Sequence, residues 1–142
     1  MPYVKRTKTN MDRLVHERTI KSIEFSKWVT SIVPIVKEDS TILIFGDYKQ
    51  TINQVAKLDN YPIPKIEDLY ATLREGVEFT KLDLIQAYQR LELDKDSEAK
   101  TFISTHKGLF KYKRHPHGIS SAPGIYQRTI ESLASSRKYL KW

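Results

Sequence analysis

Cysteine is absent from the 142-residue chain, which excludes disulfides and thiolate chemistry and favours a reducing, intracellular setting. Long apolar runs are absent too. The longest, SIVPIV and TILIF, fall far short of the roughly 20 residues a bilayer-spanning helix needs. The opening MPYVKRTKTN carries charge with no apolar stretch behind it, so it does not read as a secretory leader. A soluble chain of the cytoplasm or nucleus, without a membrane partner, is therefore expected. No repeat, low-complexity tract or Gly/Ser-rich linker divides the sequence, and its length fits about one domain with a modest core. Acidic residues also run out early: none follows Glu131, and the chain ends in the basic, aromatic SSRKYLKW.

What the chain has in excess is positive charge. Its Lys and Arg number 24 against 17 Asp and Glu, a formal charge of +7. An excess of this size suits a polyanionic partner. The order of elements reads as mixed. Residues 4–19 are polar and weakly periodic around Val4, Met11, Leu14 and Val15, which predicts a surface helix. VTSIVPIVK (29–37) and TILIFGDYK (41–49) are β-rich runs joined by a turn-like EDS, and predict a hairpin. YPIPKIEDLYATLREG has Pro64 and acidic Glu67 and Asp68 at its start, Ile66, Leu69, Tyr70 and Leu73 at helical spacing, and Gly76 at its end.

After Gly76 the period changes to two. In VEFTKLDL (77–84), Leu82 and Leu84 point one way and Phe79, Lys81 and Asp83 the other, which predicts a strand with its leucines on the core. A short turn, IQA, then leads into YQRLELD, where Leu91 and Leu93 repeat the core face, so Asp83 and Tyr88 flank one corner. AKTFIST (99–105) and GLFKYKRH (108–115) predict a second hairpin around His106 and Lys107. SSAPGIYQRTIESLASS predicts a last helix, capped by Ser120 or Ser121, with Pro123 in its first turn and Ala122, Ile125, Tyr126, Ile130 and Leu133 along one face.

Five blocks in order, DYKQTIN (47–53), YPIPKIEDL (61–69), FTKLDLIQAYQRLEL (79–93), KTFISTHKGLFKY (100–112) and HGISSAPGIYQRTIESL (117–133), resemble the fingers and palm of a reverse transcriptase. Among those enzymes the sequence is most similar to gypsy-type LTR retrotransposon polyproteins, from about Lys21 to Leu133. The resemblance implies an α+β fold, an antiparallel sheet with packed helices. The fingers would be about 21–76 with 100–115 and the palm about 77–99 with 116–134. It implies an RNA-directed DNA polymerase that adds dNTPs to an RNA or DNA template-primer by nucleotidyl transfer assisted by two Mg²⁺ ions.

The same resemblance assigns roles. Asp83 matches the first of three metal-binding carboxylates and so the catalytic position, and the Leu84 carbonyl would add an oxygen ligand suited to a hard cation. Tyr88 matches the aromatic residue under the sugar of the incoming nucleotide. Lys37 lies where the family grips the triphosphate, and His117 stands in the loop that lies against the nucleotide. Asp47, Lys49, Pro123 and Gln127 match positions on the template side.

The departures weigh against activity. Leu43 occupies the place of a family Arg four residues before the Asp of the DY block, and the family's PFG loop reads PHG. His115 and His117, two apart, offer a different metal-chelating reading. The second and third carboxylates, adjacent Asp residues on a later hairpin, have no counterpart up to Trp142, nor do the thumb, RNase H, integrase and protease portions. One carboxylate cannot hold two Mg²⁺ ions, so a truncated, degenerate and inactive copy is expected. The alternative is a catalytically dead nucleic-acid-binding module, with Lys107, Lys111, Lys113 and Arg114 on phosphates and Tyr112 stacked on bases. Without the Asp-Asp hairpin, strand 77–84 is expected to present an unpaired edge and to promote marginal stability and self-association.

Overall fold

The computed structural model describes residues 2–56 and 60–136. Helix α1 (Pro2–His16) leads into strand β1 (Ile20–Ile23), and β2 (Thr30–Val36) and β3 (Ile42–Gly46) form the first hairpin. Short helix α2 (Ile52–Val55) and α3 (Ile66–Leu73) follow. Helix α4 (Lys95–Glu98) precedes the second hairpin, β4 (Phe102–Thr105) and β5 (Gly108–Tyr112), and α5 (Ala122–Ser136) ends the described chain.

Both predicted hairpins form, each for a local reason. In the first, the Asp39 carboxylate accepts from the Thr41 backbone N–H at 2.9 Å and its hydroxyl at 2.6 Å, while Ser40 takes a left-handed φ of 63°. Those Thr41 bonds hold the Asp39 carboxyl below the usual carboxylate range. In the second, Thr105 pairs with Gly108 across His106 and Lys107, and Gly108 supplies the positive φ of 116°. The five strands align as β1-β5-β4-β2-β3. All pairs are antiparallel except β2 with β4, so the sheet is mixed. The parallel pair arises because the chain makes a long excursion after β3 before β4 docks beside β2.

Helix α1 is more than a surface helix. Met11 and Leu14 are fully buried in a core with Ile20, Ile44, Ile103, Phe110 and Tyr112, while Val4 and Val15 face outward. Asn10 ties the helix to the Ile42 carbonyl. Strand β1 has no counterpart among the elements predicted from sequence. Its four residues are too short to show a period, and it is a strand because it pairs with β5 in register Ile20 to Tyr112.

The predicted strand at 77–84 does not form. Residues 77–84 lie outside every strand, Leu82 is 75% exposed, and Leu84, Val77 and Phe79 are exposed too. Alternation marks a strand only where a partner takes its backbone groups, and among the described residues none lies beside it. There is consequently no sheet edge here for self-association. What is exposed instead is a run of apolar side chains. YQRLELD likewise shrinks to a 3₁₀ turn, Ala87–Arg90, and a single bridge between Glu92 and Arg114, although Leu93 still packs on the core. Helix α3 forms as predicted, yet none of its residues is buried. In α5, Ala122 and Ala134 are buried and Leu133 is exposed.

Tyr112 cannot stack on a base as expected, because its ring is wholly buried. Among the described residues the Tyr48 and Tyr112 hydroxyls have no hydrogen-bond partner, and burial pushes both phenols far above their usual range. Core and non-core leucines should separate cleanly in denaturant unfolding. Leu14→Ala is expected to cost about 2–5 kcal/mol, whereas Leu82→Ala should stay within about 0.5 kcal/mol. A large loss at Leu82 would show the 77–84 segment to be packed.

Candidate functional site

The loop after β5 is fixed against the end of β3. Gly118 has φ +99°, and a Cβ there would stand 2.7 Å from the Gly46 carbonyl oxygen, so only glycine fits. Asn53 on α2 clasps the same loop from the other side. Its Nδ2 donates to the Gly118 carbonyl at 2.9 Å, and its Oδ1 accepts from the Ser120 backbone N–H at 3.0 Å and the Ser120 hydroxyl at 3.2 Å.

This places the half-buried His117 ring 5.1 Å from Phe45 of β3 and 5.9 Å, edge-on, from Tyr88. Tyr88 sits on the 3₁₀ turn Ala87–Arg90, reached through Gln86, whose φ of 53° is left-handed. Its ring also meets Tyr126 of α5 at 5.6 Å and 88°, and His115 at 6.4 Å. Burial, then the nearby Lys37 and His115, lower the His117 pKa below the usual histidine range, favouring a neutral ring. Burial raises the Tyr126 phenol, with smaller contributions from Tyr88 and Asp83. Asp83 therefore lies within electrostatic reach of this cluster, exposed on the irregular segment.

Beside the cluster a cavity of about 880 Å³ is lined by Lys37, Leu43, Leu84, Ile85 and Gln86, and from α1 by Arg6, Asn10 and Arg13. Of the four residues expected on the nucleotide side, Lys37 and Leu84 line this cavity, whereas Tyr88 and His117 belong to the ring cluster, which the Lys37 charge reaches at His117. The α1 contribution was missed from sequence. Arg6, Asn10 and Arg13 recur at spacings of four and three, one face of a helix, and that period was the available signal. Phe45, Asn53 and Tyr126 were missed because their parts depend on tertiary contact.

The template-side candidates are more dispersed. Asp47 and Lys49 are exposed just beyond β3, with the Asp47 N–H donating to the Ser31 carbonyl at 2.9 Å. Pro123 is exposed at the start of α5. The Gln127 amide is engaged by Glu131 at 2.6 Å, and Glu131 also accepts from the Tyr61 hydroxyl. These two bonds lower the Glu131 pKa. The expected phosphate-binding cations are partly neutralised in place. Lys111 pairs with Glu98 at 2.7 Å, Arg114 with Glu92 at 3.4 Å, and Lys107 with Asp12. Lys113 is exposed, and its backbone pairs with Thr19.

Neither metal reading finds a donor set here. Among the described residues no group of three or more His, Cys, Asp or Glu is placed to hold an ion. Among the described residues Asp83 belongs to no such group, and His115 is buried with its Nδ1 donating to the Pro116 carbonyl at 3.1 Å. No helix among the described residues is long and apolar enough to cross a membrane.

The family model for reverse transcriptase (RNA-dependent DNA polymerase) matches residues 42–139. The chain belongs to the reverse transcriptase family. It is 32% identical over 139 residues to an uncharacterized protein of Caenorhabditis elegans, covering 95% of this chain and 11% of that protein. It is 30% identical to the retrovirus-related Pol polyprotein from transposon 297 of Drosophila melanogaster, and 36% to the transposon Tf2-3 polyprotein of Schizosaccharomyces pombe. Those matches cover 75% and 73% of this chain but 10% and 8% of the polyproteins, so it spans about a tenth of its curated relatives. A foamy viral protease-reverse transcriptase in complex with double-stranded DNA shares its fold, with TM-score 0.75 at 17% identity, covering 96% of this chain and 25% of that one. The same viral protein in complex with an RNA/DNA hybrid gives 0.69 at 17% identity, covering 90% and 17%. Asp83 and Tyr88 lie on the long excursion between β3 and β4.

The Lys37 charge should be felt at the His117 ring. Lys37→Gln removes one cause of the lowered pKa, so the His117 C2-proton titration should move up towards 6.5, the ordinary histidine value. Because the native pKa lies below the unfolded one, His117 contributes stability above about pH 6.5 that is lost as pH falls through its native pKa. An unchanged titration in the variant would show that the Lys37 charge does not reach the ring.

Proposed function

We infer that this chain is the fingers and first palm portion of a retrotransposon reverse transcriptase, holding template-primer and the incoming dNTP for nucleotidyl transfer. The observation that supports this reading is that Lys37 and Leu84 line one cationic cavity while the Lys37 charge acts on His117, whose ring meets Tyr88. Lys37 supplies positive charge for a triphosphate, and Tyr88, steadied edge-on by Tyr126 and His117, offers a rigid ring for the nucleotide sugar. Asp47, Lys49, Pro123 and Gln127 form the template side, which requires the Gln127 amide to leave Glu131. The partition into fingers at 21–76 with 100–115, and palm at 77–99 with 116–134, belongs to the same reading.

Asp83 is the residue that would hold Mg²⁺, the ion expected of the family. A single carboxylate does not make that site, so these residues bind and orient rather than catalyse. The isolated chain is therefore a nucleic-acid-binding module. The exposed apolar run of Leu69, Leu73, Val77, Phe79 and Leu82 gives it a surface for self-association.

Two measurements test this. Primer extension with Mg²⁺ or Mn²⁺ should give no product, and template-dependent incorporation abolished by Asp83→Asn would overturn the inactivity. Binding to single-stranded RNA or DNA should weaken steeply with salt. Lys113→Gln is expected to reduce the salt slope by about 0.7, the share of one phosphate contact, and paired Lys111→Gln by less. Binding that ignores salt would refute an electrostatic interface.

A further inference from the structure

A second concave surface lies on the other side of Arg13 from the Lys37 cavity. It encloses about 450 Å³ and is lined by Arg13, Arg90 and Arg114, with Glu17, Gln86 and Gln89. The three guanidiniums come from α1, from the 3₁₀ turn and from the segment after β5, so the fold gathers them from across the chain. Carboxylates compensate them only in part. Glu17 holds Arg13 at 3.2 Å and Glu92 holds Arg114 at 3.4 Å. Arg90 has no carboxylate partner among the described residues, and its Nε reaches only the Ile85 carbonyl, at 3.4 Å.

The floor is built as well as charged. In the orientation that satisfies both ends of its amide, Gln86 donates to Gln89 Oε1 at 2.6 Å and accepts from the two Arg13 Nη atoms at 2.5 and 3.2 Å. Gln89 is itself 8% exposed, and its backbone carbonyl accepts from Arg114 at 3.4 Å. The amides thus link two of the guanidiniums and hold them towards one space.

We propose that this trough binds a small polyphosphate anion, a diphosphate or triphosphate group. Guanidiniums in a fixed fork match phosphate oxygens in pairs, and several separated forks favour an anion with more than one phosphate. No aromatic ring lines the trough, so it lacks the stacking platform that single-stranded nucleic acid uses. It shares Arg13, Ile85 and Gln86 with the Lys37 cavity, so a linear anion can pass from one to the other. The proposal is independent of polymerisation and of any role for Asp83.

Titration of the full chain with inorganic pyrophosphate, free of divalent cations and followed by amide NMR, tests it. Saturable shifts at Gln86, Gln89 and Arg90 are expected, with affinity falling about tenfold in Arg90→Gln, the loss of one charge-assisted hydrogen bond. Arg90 is exposed, so this variant should fold, and unfolding curves check that. Lys27→Gln, an equal charge change at an exposed residue elsewhere, should alter affinity less than about twofold. No saturation up to about 10 mM, or equal losses in both variants, would overturn the site. An oligonucleotide whose binding alone depends on Arg90 would overturn it in favour of nucleic acid. Pyrophosphate binding that survives while template binding fails would leave this site standing and remove the polymerase reading instead.

Discussion

A Cβ added at Gly118 would stand 2.7 Å from the Gly46 carbonyl oxygen, and that approach of two backbones sets the geometry of the candidate site. It allows the loop after β5 to lie flat on the end of β3, which brings His117 over Phe45. The three Asn53 hydrogen bonds close the arrangement from α2. Each such bond contributes only about 1 kcal/mol net, so the clasp is moderate in energy and acts mainly on position. Tyr88 then completes a ring cluster between His117 and Tyr126. The low His117 pKa follows from this placement, because burial and a nearby Lys37 both disfavour a charged ring.

The apolar surface is divided unevenly along the chain. Side chains from α1 and the five strands pack into one cluster, whereas Ile66, Leu69, Tyr70, Leu73, Val77, Phe79 and Leu82 stay exposed. Residue 61 marks where the two regimes meet. Tyr61 bonds Glu131 and lies under Arg128 at 5.5 Å, tethering the excursion to α5. Between there and Gln86 the described chain gains little burial. An apolar surface of this extent normally meets another protein surface.

Legibility in the sequence followed the range of the interactions. The β2/β3 and β4/β5 hairpins were visible because Asp39, Ser40 and Gly108 set their turns within a few residues. Helices α3 and α5 showed their period and their boundary residues. Strand β1 was invisible because four residues carry no period and its partner lies some ninety residues away. The alternation at 77–84 misled for the converse reason: the pattern is present but, among the described residues, no partner strand is. Ordered motifs singled out Asp83, Tyr88 and His117 as candidates, since the resemblance rests on residue identity. The pairing of Lys111 with Glu98 and of Arg114 with Glu92 could not be read that way, because side-chain charge counts add in sequence and cancel in space.

Helix α1 shows how a core and an electrostatic surface can share one element. Its Met11 and Leu14 are held in the sheet core, which fixes the rotation of the helix about its axis. Once that rotation is fixed, Arg6, Asn10 and Arg13 must face the opening between the β2/β3 turn and the Ala87–Arg90 turn, because they recur on a neighbouring stripe. The guanidinium of Arg13 therefore reaches both cavities without any loop having to order around it. Positive charge carried this way loses little side-chain entropy on meeting an anion, since packing has already oriented the helix that bears it. The same burial that stabilises the domain is what keeps the cationic face in place.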